Sequence, residues 1–127
     1  MMIRSCYACL LAVATLTLAG CGGRSAPVSD PKAAIALLGS SLEAWKTGKS
    51  VADMRQLTPP VYVADELWSD GFELRDFVIE GDGEMYGPNV RLSVTLTGSS
   101  RGGAVGKKQF QYLVTTTPAC TIARADR

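Results

Sequence analysis

Few side chains in this sequence are equipped for catalysis, because none of its 127 residues is a histidine. This excludes a Ser-His or Cys-His nucleophile pair and any imidazole metal ligand supplied by the chain. Asp65, Glu66 and Asp70 offer three carboxylates within six residues, a set that suits a hard cation or acid-base work. Their spacing lacks the glycine turn and terminal glutamate of a calcium loop. We therefore expect a helix N-terminus there, and no catalytic residue, metal site or cofactor.

The most specific chemical signal is a cysteine at the end of an apolar N-terminal run. Arg4 supplies a positive charge, and the 14 residues Cys6–Ala19 are apolar apart from two threonines. This length is typical of a secretory signal peptide and is shorter than the about 20 apolar residues that a transmembrane helix needs. The run ends in an aliphatic residue, two small residues and a thiol, which are Leu18, Ala19, Gly20 and Cys21. A thiol is the nucleophile that accepts a lipid.

These four residues resemble the lipobox of bacterial lipoproteins. The resemblance implies that diacylglycerol is attached to the Cys21 thiol and that the lipoprotein signal peptidase cuts before this residue. Two or three acyl chains hold a protein firmly at a membrane, whereas one chain binds marginally. The alternative is an ordinary cleaved signal peptide in which Cys21 is incidental. The residue after the cysteine, Gly22, is not aspartate, and in this respect the sequence resembles outer-membrane lipoproteins. We therefore expect the outer membrane or the periplasmic face of the cell envelope.

The sequence divides into a signal peptide at residues 1–20, a lipidated cysteine and flexible tether at 21–30, and one small α+β domain at 31–127. The leader contains one of the 13 basic residues, so the mature chain has as many basic as acidic side chains. Nucleic acid is not an expected partner, because binding a polyanion needs clustered Lys and Arg. Cys120 is alone in the domain, so no internal disulfide is expected once Cys21 is modified.

The domain changes from a helical to an alternating hydrophobic period along its length. Apolar residues spaced by three and four predict a helix over Pro31–Thr47 that Gly48 ends, and Ser50-x-x-Asp53 predicts the capping box of a second, shorter helix. A loop is expected between Gly81-Asp82-Gly83 and Gly87-Pro88. Alternation predicts a short extended piece and four longer strands, which are Val61–Val63, Phe72–Glu80 with a β-bulge near Arg75–Asp76, Val90–Thr97, Lys107–Thr117 and Ala119–Arg124.

Helices followed by strands, without alternating βαβ units, predict an α+β fold. We expect the N-terminal helix and the short second helix to pack on one face of a curved antiparallel sheet of about four strands. The element order and the spacing Trp68-x-x-Gly71-x-x-Leu74 are similar to nuclear transport factor 2-like and cystatin-like domains. Many small bacterial lipoproteins combine such a domain with a lipobox. The resemblance covers about Pro31–Arg124 and implies a fold, and a fold alone does not imply a function.

Three aromatic residues are candidates for lining a ligand cavity between helix and sheet: Trp45, Tyr62 and Trp68. Core positions are the alternative, because a small domain depends on a few large aromatics for its buried area. We expect a non-catalytic binding module at the cell envelope, whose partners are the membrane, through the lipid anchor, and an envelope protein or small ligand. The alternatives are an accessory subunit of an envelope protein complex and an enzyme that works through carboxylates.

Overall fold

The computed structural model describes residues 27–125, so the lipobox residues Leu18, Ala19, Gly20 and Cys21 lie outside the described residues. Within this range the chain is α+β, as predicted. No helix in the described part of the chain has the length and apolar character needed to cross a membrane. The elements in chain order are α1 (Pro31–Lys46), α2 (Val51–Arg55), β1 (Val61–Ala64), α3 (Glu66–Ser69), β2 (Glu73–Tyr86), β3 (Asn89–Ser99), β4 (Gly106–Thr115) and β5 (Cys120–Arg124).

Helix α1 begins and ends at residues suited to those positions. The Asp30 carboxylate accepts the Ala33 N–H at 3.0 Å, and Pro31 occupies the first turn, where its missing N–H costs nothing. Gly48 follows the helix with φ +98°, a backbone conformation that glycine adopts without strain. The predicted helix was therefore correct to within one residue at its C-terminus.

Helix α2 carries the predicted capping box. The Ser50 hydroxyl accepts the Asp53 N–H at 3.1 Å, and the Asp53 carboxylate accepts the Ser50 N–H at 2.8 Å. Hydrogen bonds to the Asp53 carboxylate, first from the Ser50 N–H and second from the Ser50 hydroxyl, lower the pKa of Asp53 below its ordinary value. The carboxylate cap therefore stabilises α2 fully at pH values above the ordinary pKa of an aspartate. This stabilisation is lost as the pH falls through the lowered pKa of Asp53.

The sheet has five strands in the order β1-β5-β4-β3-β2 and is mixed. Strands β2 to β5 pair antiparallel, whereas β1 runs parallel to β5, with Val61 beside Cys120. The expectation of an antiparallel sheet of about four strands was wrong in both respects. Val61–Ala64 is too short for its alternation to identify a strand with confidence from sequence, and its pairing depends on β5, which lies about 60 residues further along the chain.

Strand β2 contains one irregularity that was predicted and one that was not. Its register against β3 shifts between Leu74 and Asp76, which confirms the predicted bulge. The loop predicted between Gly81 and Pro88 was wrong over most of its length, because β2 continues to Tyr86 with a second register shift between Glu80 and Glu84, and only Gly87 and Pro88 form a turn. Gly81 and Gly83 have φ +76° and +83°, so the shift is accommodated at residues that tolerate this conformation.

The two faces of the sheet differ in chemistry, as the alternation in β3 predicted. Val90, Leu92, Val94 and Leu96 are buried toward α1, while the residues between them line the opposite face. On that open face, the Glu80 carboxylate accepts the Thr95 hydroxyl at 3.0 Å and the Gln109 amide at 2.5 Å. Hydrogen bonds between polar side chains therefore link β2, β3 and β4 on the face that α1 does not cover.

The segment before α1 is hydrogen-bonded to one end of the sheet through Ser29. Ser29 is 1% exposed, its N–H donates to the Pro88 carbonyl at 2.9 Å, and its hydroxyl accepts the Thr116 N–H at 2.9 Å. Pro88 lies in the turn between β2 and β3, and Thr116 directly follows β4. The start of α1 is thus attached to the end of the sheet where β3 begins.

Gly98 and Gly106 are paired across β3 and β4 and provide a matched test of the packing. A Cβ on Gly98 would lie 2.1 Å from the Glu73 carbonyl oxygen, whereas one on Gly106 would meet nothing within 4 Å. We expect Gly98→Ala to lower the free energy of unfolding by about 3 kcal/mol, because backbone must move. Gly106→Ala should change it by less than about 0.5 kcal/mol. Urea unfolding followed by circular dichroism measures both, and equal effects would contradict this packing.

Candidate functional site

Two tryptophans form a reciprocal stacked pair at the C-terminal ends of α1 and α3. The Trp45 and Trp68 rings are parallel, with 4.9 Å between their centroids and 3° between their planes. The Trp45 indole N–H donates to the Phe72 carbonyl just beyond α3, and the Trp68 indole N–H donates to the Lys49 carbonyl just beyond α1, each at 2.9 Å. Each indole N–H therefore donates to a backbone carbonyl in the segment that follows the other helix.

The two helix ends have the same local structure. The N–H of Gly48 donates to the Trp45 carbonyl, and that of Gly71 donates to the Trp68 carbonyl. The next N–H in each case, from Lys49 or Phe72, reaches five residues back, which completes a Schellman motif. The sequence signal for these two similar helix ends is the spacing Trp-x-x-Gly, which occurs at 45–48 and again at 68–71. The two occurrences were not recognised as related from the sequence.

The structure brings together two of the three predicted cavity residues. Trp45 and Trp68 are each 5% exposed and border an open groove of about 430 Å³. Tyr62 is 47% exposed and does not line this groove, because alternation in β1 points it to the face opposite the buried Val61 and Val63. The indole N–H of each tryptophan is already bound to backbone, so the pair offers a ligand mainly apolar edges.

A larger cleft lies at the end of the sheet where β3 ends and β4 begins. It has a volume of about 540 Å³, and we call it the hairpin cleft. Its apolar lining comes from α3, the residue before β2 and the core face of the sheet, namely Leu67, Phe72, Leu96 and Phe110. The β3–β4 connection contributes small residues: Gly98, Ser99, Ser100, Ala104 and Gly106. Because these residues are small, space remains above the apolar lining.

Three cations complete the lining of the hairpin cleft: Lys107, Lys108 and Arg124. The Lys108 ammonium lies 5.3 Å from the centre of the Phe110 ring, and the Arg124 guanidinium lies 5.1 Å from it. Both distances are within the range of a cation–π interaction. Among the described residues that line the cleft, none carries a carboxylate. The hairpin cleft therefore combines an aromatic surface with positive charge.

The buried carboxylate of Asp65 forms an ion pair with Arg124, one of the three cations that line the cleft. The Asp65 side chain is fully buried; Oδ1 accepts the Leu67 N–H at 3.0 Å, and Oδ2 accepts the Tyr112 hydroxyl at 2.5 Å. The Arg124 Nε lies 3.9 Å from Oδ1. Burying a carboxylate is unfavourable unless it is paired and hydrogen-bonded, so this cluster couples α3, β4 and β5.

The acidic residues considered for metal binding occupy helix ends. Asp65 is the N-cap of α3 and Glu66 lies in its first turn, as expected for a helix N-terminus, while Asp70 caps its C-terminal end. Across residues 27–125, no group of three or more Cys, Asp or Glu side chains is placed to hold a metal ion. We therefore assign the α3 carboxylates a structural role.

The residues of the hairpin cleft were not identified as a site from the sequence. Alternation already places Lys108, Phe110 and Tyr112 on one face of β4, but two adjacent lysines at the start of a strand are typical of a solvated strand end and do not by themselves indicate a site. Arg124 joins them only because β5 pairs with β4 so that Arg124 lies beside Tyr112. A cross-strand register of this kind cannot be derived from the period of a single strand.

Comparisons with protein-family models, with curated proteins and with solved structures find no match for this chain.

The tryptophan pair predicts unequal effects for two aromatic substitutions. Trp45→Ala should lower the free energy of unfolding by about 3–5 kcal/mol, because it removes buried area, the stack on Trp68 and the bond to the Phe72 carbonyl. Tyr62→Ala, at a half-exposed site, should change it by less than about 1 kcal/mol. Thermal and urea unfolding measure both changes. A Trp45→Ala protein as stable as Tyr62→Ala would show that the pair is not part of the core.

Proposed function

We propose that this chain is a bacterial lipoprotein held at the cell envelope by acylated Cys21, and that its folded body is a non-catalytic module that binds a small ligand. The anchor is supported by the leader, the apolar run of signal-peptide length and the four lipobox residues. Ligand binding is supported by one structural observation, which is the hairpin cleft of about 540 Å³. Clefts of 300–1,000 Å³ with an apolar lining and a few polar groups are the usual sites for small molecules.

The chemistry of the cleft favours binding over catalysis. Its hydroxyl groups belong to Ser99 and Ser100, and no hydrogen bond within the described residues joins either hydroxyl to a lysine. A nucleophilic serine needs a base within hydrogen-bond reach. We therefore assign no reaction to these residues.

A second candidate function is an accessory subunit of an envelope protein complex. The observation that favours it is strand β2, which is 14 residues long and lies at an edge of the sheet. Three of its apolar side chains are exposed, which are Val78, Met85 and Tyr86. Edge strands with exposed apolar residues are suited to pairing with another chain. The cleft remains the stronger support, because it combines shape with specific chemistry.

The anchor is tested by metabolic labelling with palmitate in a bacterial host. We expect label in the wild-type protein and in Cys120→Ala, and none in Cys21→Ala, because only the lipobox thiol accepts diacylglycerol. Detergent phase separation should place the wild-type protein in the detergent fraction, since its acyl chains hold it at a membrane. Wild-type protein without label and in the aqueous fraction would disprove the anchor.

Ligand binding is tested by filling the cleft from its loop side. The probe is 2-naphthylmethanol, an uncharged bicyclic molecule, titrated by NMR into Cys21→Ala protein, which carries no competing acyl chain. Ala104→Trp should weaken binding at least tenfold, because Ala104 lines the cleft. Val105→Trp is the matched control, since the neighbouring Val105 is 49% exposed and does not line the cleft. Equal binding by both tryptophan variants would contradict the assignment of the cleft as the ligand site.

A further inference from the structure

We infer that the hairpin cleft selects small amphipathic anions, in which a carboxylate, sulfonate or phosphate is joined to an apolar group, and that it takes them from solution. This inference rests on the proposed ligand-binding function and names its ligand class. Three features carry it: the unbalanced charge of the lining, the aromatic surface next to that charge, and the position of the cleft relative to the chain entry at Ser29.

The charge of the lining favours an anion. Three cations line the cleft, and no carboxylate does so among the described residues. The buried Asp65 balances Arg124. Lys107 and Lys108 form no ion pair within residues 27–125, so their two charges are not balanced by a neighbouring carboxylate. An anion in the cleft would meet this positive charge next to a surface of low polarity, where charges are screened less than in bulk water.

The aromatic surface requires an apolar part in the same ligand. Phe110 is partly buried, and both Lys108 and Arg124 lie about 5 Å from its ring centre. A fully hydrophilic anion would contact the ammonium and guanidinium groups but would leave the partly buried rings of Phe110 and Phe72 in contact with water. An apolar group of the ligand covers these two rings and removes their apolar surface from water.

Arg124 is the least exposed of the three cations. Its side chain is 18% exposed, its Nε faces the buried Asp65, and its guanidinium lies over Phe110. A cation held by a buried partner loses little conformational freedom when a ligand binds, so it contributes to selectivity at low entropic cost. Lys108 is exposed and is therefore the better residue for a test, because its replacement leaves the Asp65 cluster unchanged.

The position of the cleft favours a ligand from solution over a membrane lipid. The chain enters at Ser29 beside Pro88, next to the start of β3, whereas the cleft lies at Leu96 to Ser99, near the end of the same strand. Nine residues of extended strand separate the two positions, which corresponds to about 30 Å. The cleft is thus at the end of the sheet remote from the segment that continues toward Cys21.

The charge requirement is tested with two probes of nearly the same shape. Calorimetric titration of Cys21→Ala protein should show 2-naphthoate binding at least tenfold more tightly than 2-naphthylmethanol. Lys108→Met should remove most of this difference, while Lys32→Met, which removes the same charge from the exposed side of α1, should preserve it. Raising the salt concentration should weaken only the naphthoate, because added ions screen the charge interaction.

The outcomes separate this inference from the proposed function. Equal affinities for the two probes, or a naphthoate preference that survives Lys108→Met, would overturn the selectivity for anions while the cleft remained a ligand site. Binding of neither probe would overturn both proposals. Co-sedimentation of Cys21→Ala protein with phosphatidylglycerol vesicles, if abolished by Lys108→Met, would overturn the solution source and assign the cleft to a membrane lipid.

Discussion

The buried Asp65 carboxylate is the interaction on which the site region of this domain depends. It accepts hydrogen bonds from the first turn of α3 and from Tyr112, and it faces Arg124. Each partner lies on a different element, so the need to compensate one buried charge places α3 against β4 and β5. Beyond the C-terminal end of α3, the Phe72 carbonyl accepts the Trp45 indole N–H. This hydrogen bond connects the same short helix to α1.

Much of the fold was predictable, because its elements have local signals. The cap at Asp30, the apolar spacing of α1 and Gly48 after it define the first helix, and the bulge at Leu74–Asp76 follows from a change of phase in the apolar residues. The parallel pairing of β1 with β5 was not predictable in the same way. It joins segments at Val61 and Cys120, and no pattern within either segment specifies its partner.

The candidate site was less predictable than the fold for a physical reason. Trp45 and Trp68 were two of the three aromatic residues predicted to line a cavity, but their mutual stacking depends on two helix ends meeting in space. The hairpin cleft combines Phe72, Phe110 and Arg124 from separate elements, so its chemistry arises from packing between them. By contrast, the resemblance of Leu18, Ala19, Gly20 and Cys21 to a lipobox rests on four adjacent residues, so it does not depend on the fold.

The attachment of Ser29 determines where a mechanical load on the tether would enter the domain. Tension along the chain toward Cys21 passes first through the two hydrogen bonds of Ser29, to Pro88 and Thr116. That force is taken up by the turn between β2 and β3 and by the segment after β4. The loop that borders the hairpin cleft lies at the other end of these strands. Force that enters the domain at Ser29 is therefore applied at the end of these strands that is remote from the hairpin cleft.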